Sequence, residues 1–364
     1  MIRIDELYNH TFWPWFEQNR PGTRMFFCDP FGHTRPENLF NHGSDFIHES
    51  DYVFFHDQEP IQIHAHRDLF QDVVRRNADI QPRAQGYVIV SERGENLQAL
   101  CDIYGWRSAY YFFHGWACLD WFRGYDRTFL FPAPQDRRPP RTTFMSPNRI
   151  IGGERDHRVL FIYHCERLGI MHNHLSAPAT CPVEHVAIDT IASKYNNRYH
   201  DIEQVIRSAA LPRLFRGEEA QQMTSCWLGN FAEAMNSMIY VPTETVYFGR
   251  RTHLTEKTFK AIALGMPFVL VAPAGSLAYL REYGFRTFDS VWDESYDQET
   301  DDFLRLERVT RLLADIDAMS WHQKEILWLH AQEIAIHNWN HFYRGGFEQR
   351  LWQELGDMLD SIQF

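Results

Sequence analysis

Residues 252–271, Thr-His-Leu-Thr-Glu-Lys-Thr-Phe-Lys-Ala-Ile-Ala-Leu-Gly-Met-Pro-Phe-Val-Leu-Val, constrain the fold more than any other stretch of the chain. They read as turn, helix, stop and buried strand. Thr255 has the side chain of an N-cap, whose oxygen accepts from an orphan N–H of the first helical turn. Phe259, Ile262 and Ala263 recur at the spacing of one helical face, as in a helix lying on a sheet. Gly265 can take the left-handed conformation that ends a helix, and Pro267 prevents its resumption. Phe268 to Val271 is wholly apolar, the pattern of a parallel strand covered on both faces. The polar residues collect at the helix N-terminus, where unpaired N–H groups and the macrodipole favour phosphate. There Glu256 can accept from a ribose diol and Lys257 can neutralise a pyrophosphate. A capped surface helix with a solvated Glu-Lys pair fits the same letters.

The remainder of the chain reads as the same class of structure. Apolar runs at 25–28, 52–55, 87–90 and 110–113 have the length of strands, and 69–76 and 96–104 have helical patterns. Their alternation predicts α/β architecture with an open, largely parallel sheet, in which ligands sit at the carboxyl ends of the strands. A Pro- and Arg-rich segment without apolar periodicity, 136–147, reads as a linker. Beyond it a helix is expected near 158–168, and a mostly helical tail runs from 303 to 363. The expected division is 1–135, linker 136–147, 148–345, and a C-terminal helix, 346–364, returning to the first domain. The chain of 364 residues is long enough for two domains.

The Thr255-Glu256-Lys257 segment, followed by an amphipathic helix, Gly-x-Pro and an apolar strand, resembles the donor-binding motif of GT-B glycosyltransferases. It is most similar to the Thr-Glu-Lys segment of the α1,3-fucosyltransferases and to a group of phage and bacterial glycosyltransferase-like proteins, in which the pattern continues as in Gly275 to Phe288. The resemblance covers about residues 240–300. It implies two Rossmann-like domains facing a cleft and a nucleotide-sugar donor, a UDP-sugar ahead of a GDP-sugar. It also implies inverting transfer and no required metal. It places an Asn-Arg turn and a His-Arg pair at the first strand-to-helix turn of the donor domain, here Asn148, Arg149 and Arg158, with both arginines set to clamp the leaving phosphate. Glu244 and Arg251, just before the helix, join Thr255, Glu256 and Lys257 as donor-binding candidates.

Transfer also needs a base to take the acceptor's proton. His56-Asp57-Gln58-Glu59-Pro60 ends a strand in the first domain, and Asp57 and Glu59 are the candidates; a capped turn is the alternative. Glu92, His114 and Trp116, at the next two strand ends, are acceptor-binding candidates, since an exposed indole can stack on a sugar or a base. His64, His66, His172 and His174 raise a metal site, but no His-Glu-x-x-His spacing accompanies them. That leaves a metal-dependent hydrolase or nuclease built on the His-rich first half, and a non-catalytic nucleotide-binding module, as competing readings.

Charge bears on the acceptor. The net charge is −12, which opposes nonspecific wrapping of nucleic acid. Eight arginines nevertheless fall between Arg123 and Arg158. Together with the nearby aromatics they favour hydroxymethylated DNA, a 5-hydroxymethylpyrimidine such as 5-hydroxymethylcytosine in a phage genome, over a cell-surface glycan. The six cysteines are scattered without a Cys-x-x-Cys pair. No apolar run approaches the ~18 residues of a membrane span, and the N-terminus lacks a signal pattern, so a cytoplasmic protein is expected.

Overall fold

A computed structural model describes residues 6–21, 24–28, 39–42, 52–57, 60, 71, 85–124, 133–215 and 227–362. The chain is mixed α/β and forms two compact units: residues 1–120 with 348–364, and residues 121–347.

The first unit begins with a π-helical turn running into α1 (Trp13–Asn19). Its sheet is built from β1 (Arg24–Cys28), β2 (Leu39–His42), β3 (Tyr52–Asp57) and β4 (Gln85–Val90), then, after α2 (Glu95–Tyr104), β5 (Arg107–Tyr110). The order is β2-β1-β3-β4-β5, antiparallel only at the β2 edge. Register sets Asp57 opposite Val90 and Val90 opposite Tyr110, so the carboxyl ends of β3, β4 and β5 are level.

The aromatic run after β5 departs from its expected form. Tyr110 closes the strand, and Phe113–Phe122 is a helix, α3. β-propensity loses here to tertiary hydrogen bonding. The Ser91 hydroxyl accepts from the Phe113 N–H (3.0 Å) and the Glu354 carboxylate from the Phe112 N–H (3.1 Å), meeting the orphan donors of a helix start. A helix apolar on all sides is a core helix. Phe112, Phe113, Trp116, Ala117 and Cys118 are accordingly buried.

The second unit has β6 (Thr142–Ser146), α4 (His157–Arg167), β7 (His174–Leu175), α5 (Ile188–Ala192), α6 (Ile202–Ser208), α7 (Phe231–Asn236) and β8 (Ser237–Tyr240). Then come α8 (Glu256–Ala263), α9 (Ser276–Glu282), α10 (Asp302–Asp317) and α11 (Trp321–Tyr343); α12 (Gly346–Ser361) follows, its residues from Glu348 belonging to the first unit. β7 and β8 flank β6, all parallel, and the apolar run 268–271 extends the sheet beyond β8 through parallel bridges Tyr240–Phe268 and Thr243–Val271. The spatial order is thus second, first, third, fourth, which puts a topological switch point at the carboxyl ends of β6 and β8.

The segment expected as a linker is part of this core. Thr142–Ser146 is the strand between β7 and β8, and Phe144 and Met145 are fully buried. Upstream of it, the Arg137 guanidinium donates to the carbonyls of Leu264 and Gly265, placing a cation on the C-terminus of α8. Gly265 has φ +60°, and a Cβ there would meet Pro134 Cγ at 2.1 Å, so both conformation and space require glycine. The inner face of α8 packs as its spacing predicts. Phe259 stacks on Phe347 with centroids 5.3 Å apart and meets Phe285 edge-on.

Candidate functional site

The N-terminus of α8 lies over a network that ties together the loops after β6 and β8. Asn148 is fully buried. Its amide donates to the Ser146 carbonyl (3.2 Å) and hydroxyl (3.1 Å), its carbonyl oxygen accepts from the Thr243 hydroxyl (2.7 Å), and its backbone N–H donates to Ser176 Oγ (3.0 Å). Arg158, in the first turn of α4, donates to the carbonyls of Ile150 (2.6 Å), Thr243 (2.7 Å) and Glu244 (3.1 Å). It is 3 % exposed, and its Nε has no partner among the described residues. Burial, and then the charge of Arg155, pull its pKa down to about 9, against the opposing fields of Glu244 and Glu256. It is a guanidinium bonded to carbonyls with no carboxylate on it.

Glu244 supplies the other half of this base. Its carboxylate is fully buried. It accepts from the Thr255 N–H (3.1 Å) and hydroxyl (2.6 Å), the Thr258 N–H (3.2 Å) and hydroxyl (2.5 Å), and the Thr245 N–H (3.3 Å). A carboxylate below the first turn of a helix meets the orphan donors and the positive end of the dipole together. Expected as a donor-binding residue, Glu244 is instead the inner cap of α8. Thr258 and Thr245 were not singled out in the sequence, though a second hydroxyl three residues after an N-cap threonine was a usable signal.

Lys257 and Glu256 sit above this base. Lys257 Nζ donates to Thr245 Oγ1 (3.0 Å), Thr255 Oγ1 (3.2 Å) and Glu256 Oε1 (2.8 Å), with its side chain a quarter exposed. Thr255 is the N-cap, its hydroxyl accepting from Lys257 N at 3.5 Å. Arg251 donates to Glu154 (3.2 Å), and Arg149 and Arg155 are half-buried. His157 stacks on Tyr247 at 4.8 Å. Burial, and the charges of Arg158 and Arg155, hold its pKa well below the ordinary histidine value, so it is neutral. Residues 148–158 and 243–257 carry six Lys or Arg side chains against four carboxylates, an excess of positive charge in a chain of net −12. Chemically, the arrangement offers an anion the positive end of the α8 dipole, a rim lysine and the half-buried Arg149, Arg155 and Arg251.

The candidates of the first unit fare differently. Asp57 closes the backbone of β3, and Glu59 lies outside the described residues. Glu92 follows β4 and is 1 % exposed. His114 and Trp116, expected at a strand end, lie on α3 at 4 % and 0 % exposure; Trp116 meets Trp352 edge-on at 4.6 Å. Their rings have no open face for an acceptor, because the helix that replaced the strand turns them into the core. His64 and His66 lie outside the described residues. His172 pairs with Asp317 (3.0 Å) and His174 bonds Ser237 (3.0 Å), so the two take separate partners. Among the described residues, no three His, Cys, Asp or Glu side chains gather as metal ligands, and no helix is long and apolar enough to cross a membrane. Neither a family model, nor a curated protein, nor a solved structure matches the chain.

Proposed function

We propose that the chain is a glycosyltransferase of GT-B type, taking a nucleotide-sugar, a UDP-sugar ahead of a GDP-sugar, at the N-terminus of α8. The observation that carries this reading is Lys257 above a helix start whose inner side is closed by Glu244 and Arg158, at the switch point of a parallel sheet. A diphosphate there would meet the positive end of the α8 dipole and the charges of Lys257, Arg149, Arg155 and Arg251. In the reaction the acceptor oxygen bonds to the anomeric carbon and the bond from that carbon to the diphosphate oxygen breaks. The electron pair leaves with the nucleoside diphosphate, and a base takes the acceptor's proton. Charge grows on the leaving diphosphate, which is where the cations act. Asp57 and Glu59 are proposed for the base, and inversion follows from direct displacement.

For the acceptor, the Arg-rich stretch favoured a 5-hydroxymethylpyrimidine in phage DNA. Two of its eight arginines, Arg137 and Arg158, are spent on internal carbonyls, and Trp116 is in the core. The spent arginines weaken the case for DNA, which leaves the alternative, a hydroxyl of a glycan, as the acceptor; the burial of Trp116 removes a stacking surface for either. The test is incubation of the protein with a panel of nucleotide-sugars, with hydroxymethylated DNA and oligosaccharides in parallel. Released nucleotide is measured, and mass spectrometry reads the products. Transfer to a glycan is the expected outcome; transfer to DNA restores the first acceptor, and no nucleotide release from any donor refutes the enzyme.

A further inference from the structure

One cavity of the second unit lies away from the N-terminus of α8. It is an open cleft of about 940 Å³ formed by the C-terminal half of α4 and the face of α10, with Tyr199 and Tyr296 in its wall. α4 has His157 in its first turn and His164, Arg167 in its last, so the cleft lies about ten residues, or ~15 Å, along the helix from the α8 site.

The wall has three properties that select a ligand. Its charges balance, with Arg167, Arg308 and Arg311 against Asp293, Glu307 and Asp315. Several are internally matched: Arg167 with Asp201 (2.7 Å), Arg308 with Glu299 (2.9 Å), and Glu307 with the Tyr199 hydroxyl (2.9 Å). A balanced wall gives no field to draw a strongly charged ligand. Its aromatic face is the half-buried ring of Tyr199, with the buried Tyr163 behind it at 4.9 Å and His164 edge-on to it at 5.3 Å. Finally, it has unspent hydrogen-bonding capacity. His164 is 9 % exposed with Nε2 unbonded, and Arg311 and Asp315, one turn apart on α10, have no ion pair among the described residues. Burial pulls the His164 pKa down to about 4, so its ring offers a neutral donor or acceptor. Planar guanidinium and carboxylate groups bond adjacent hydroxyls in pairs, while aromatic rings cover the apolar face of a pyranose.

We infer that this cleft binds a neutral oligosaccharide, at a site separate from α8. The inference extends the glycan-acceptor reading, and the volume suits a short chain of sugars rather than one unit.

The test uses the full chain on an array of neutral and acidic oligosaccharides, followed by calorimetric titration with the best neutral binder and with a heparin-derived hexasaccharide. The expected result is a neutral oligosaccharide binding at about 1 mM or tighter. The double substitution Arg311→Ala with Asp315→Ala should weaken it at least tenfold, and Tyr199→Phe should weaken it less. Both helix positions are exposed, so unchanged circular dichroism is expected. Binding of no neutral glycan, binding unchanged in the double variant, or preference for the heparin fragment overturns the inference. Lys257→Ala separates the two claims. Oligosaccharide binding that survives in it, without any UDP-sugar or GDP-sugar binding by the parent protein, sinks the proposed donor site and leaves the cleft standing. Donor binding without cleft binding does the reverse.

Discussion

Glu244→Gln isolates the carboxylate beneath α8 with almost no change of shape. A carboxamide keeps one acceptor oxygen and replaces the other with an NH₂. The better orientation leaves its oxygen where Oε1 accepts from Thr255 N, Thr258 N and Thr258 Oγ1. The NH₂ then faces the Thr255 hydroxyl, which accepts it only by giving up one of its bonds from Lys257, and the Thr245 N–H, which cannot accept. One buried N–H becomes an orphan, three bonds lose their charge assistance, and α8 loses a negative charge at its positive end. An orphaned donor costs about 1–3 kcal/mol and the lost dipole interaction about 0.3–1 kcal/mol, so the expected destabilisation is about 1–4 kcal/mol. For a unit of this size that is a fall of about 3–16 °C in Tm. With two compact units the unfolding is not read as a single two-state transition. The assay is therefore hydrogen exchange at the Thr255 and Thr258 amides across a urea series, beside the thermal scan. Protection at these amides within ~0.5 kcal/mol of the parent protein would refute the cap, and Glu244 would then be a ligand-facing group after all.

The other predictions concern the proposed chemistry and one buried acid. Lys257→Ala should weaken nucleotide-sugar binding by about ten- to a hundred-fold, the loss of one charge-assisted phosphate bond, with the melting curve near that of the parent; calorimetry that finds unchanged affinity removes the phosphate role. Asp57→Asn or Glu59→Gln should lower turnover by roughly 10²–10⁴ with donor affinity retained, and near-native turnover in both places the base elsewhere. Glu294, 8 % exposed, has its pKa raised by burial from 4.5 to about 7, against the Thr287 and Arg281 side chains and the Phe288 N–H. The folded protein holds this proton more tightly than the unfolded chain. Its contribution is thus full below about pH 4.5 and lost as pH rises toward 7. Glu294→Gln should flatten that part of the stability–pH curve, and an unchanged slope in urea titrations would refute the shift.

What the sequence determined by itself was local. Thr255, the Phe259-Ile262-Ala263 stripe, Gly265 and the run 268–271 each carry their own signal, and the helix starts, packs and stops where those residues put it. The strands at 25–28, 52–55 and 87–90 were legible for the same reason, since an apolar run bounded by turn residues needs no distant partner to be read. The tertiary structure decided whatever depended on partners far along the chain. A helix starts at Phe113 because Ser91 takes the Phe113 N–H and Glu354, 242 residues from Phe112, takes the Phe112 N–H. Thr142–Ser146 is a strand because β7 and β8 pair with it on both sides, which no local Pro/Arg composition reveals. The role of a charge was the least legible quantity of all. Glu244, Arg158 and Arg137 carry the letters of ligand-binding residues, yet each is spent on backbone groups inside the second unit. A sequence shows that a carboxylate or guanidinium is present; only packing decides whether the chain's own donors and acceptors reach it before a ligand can.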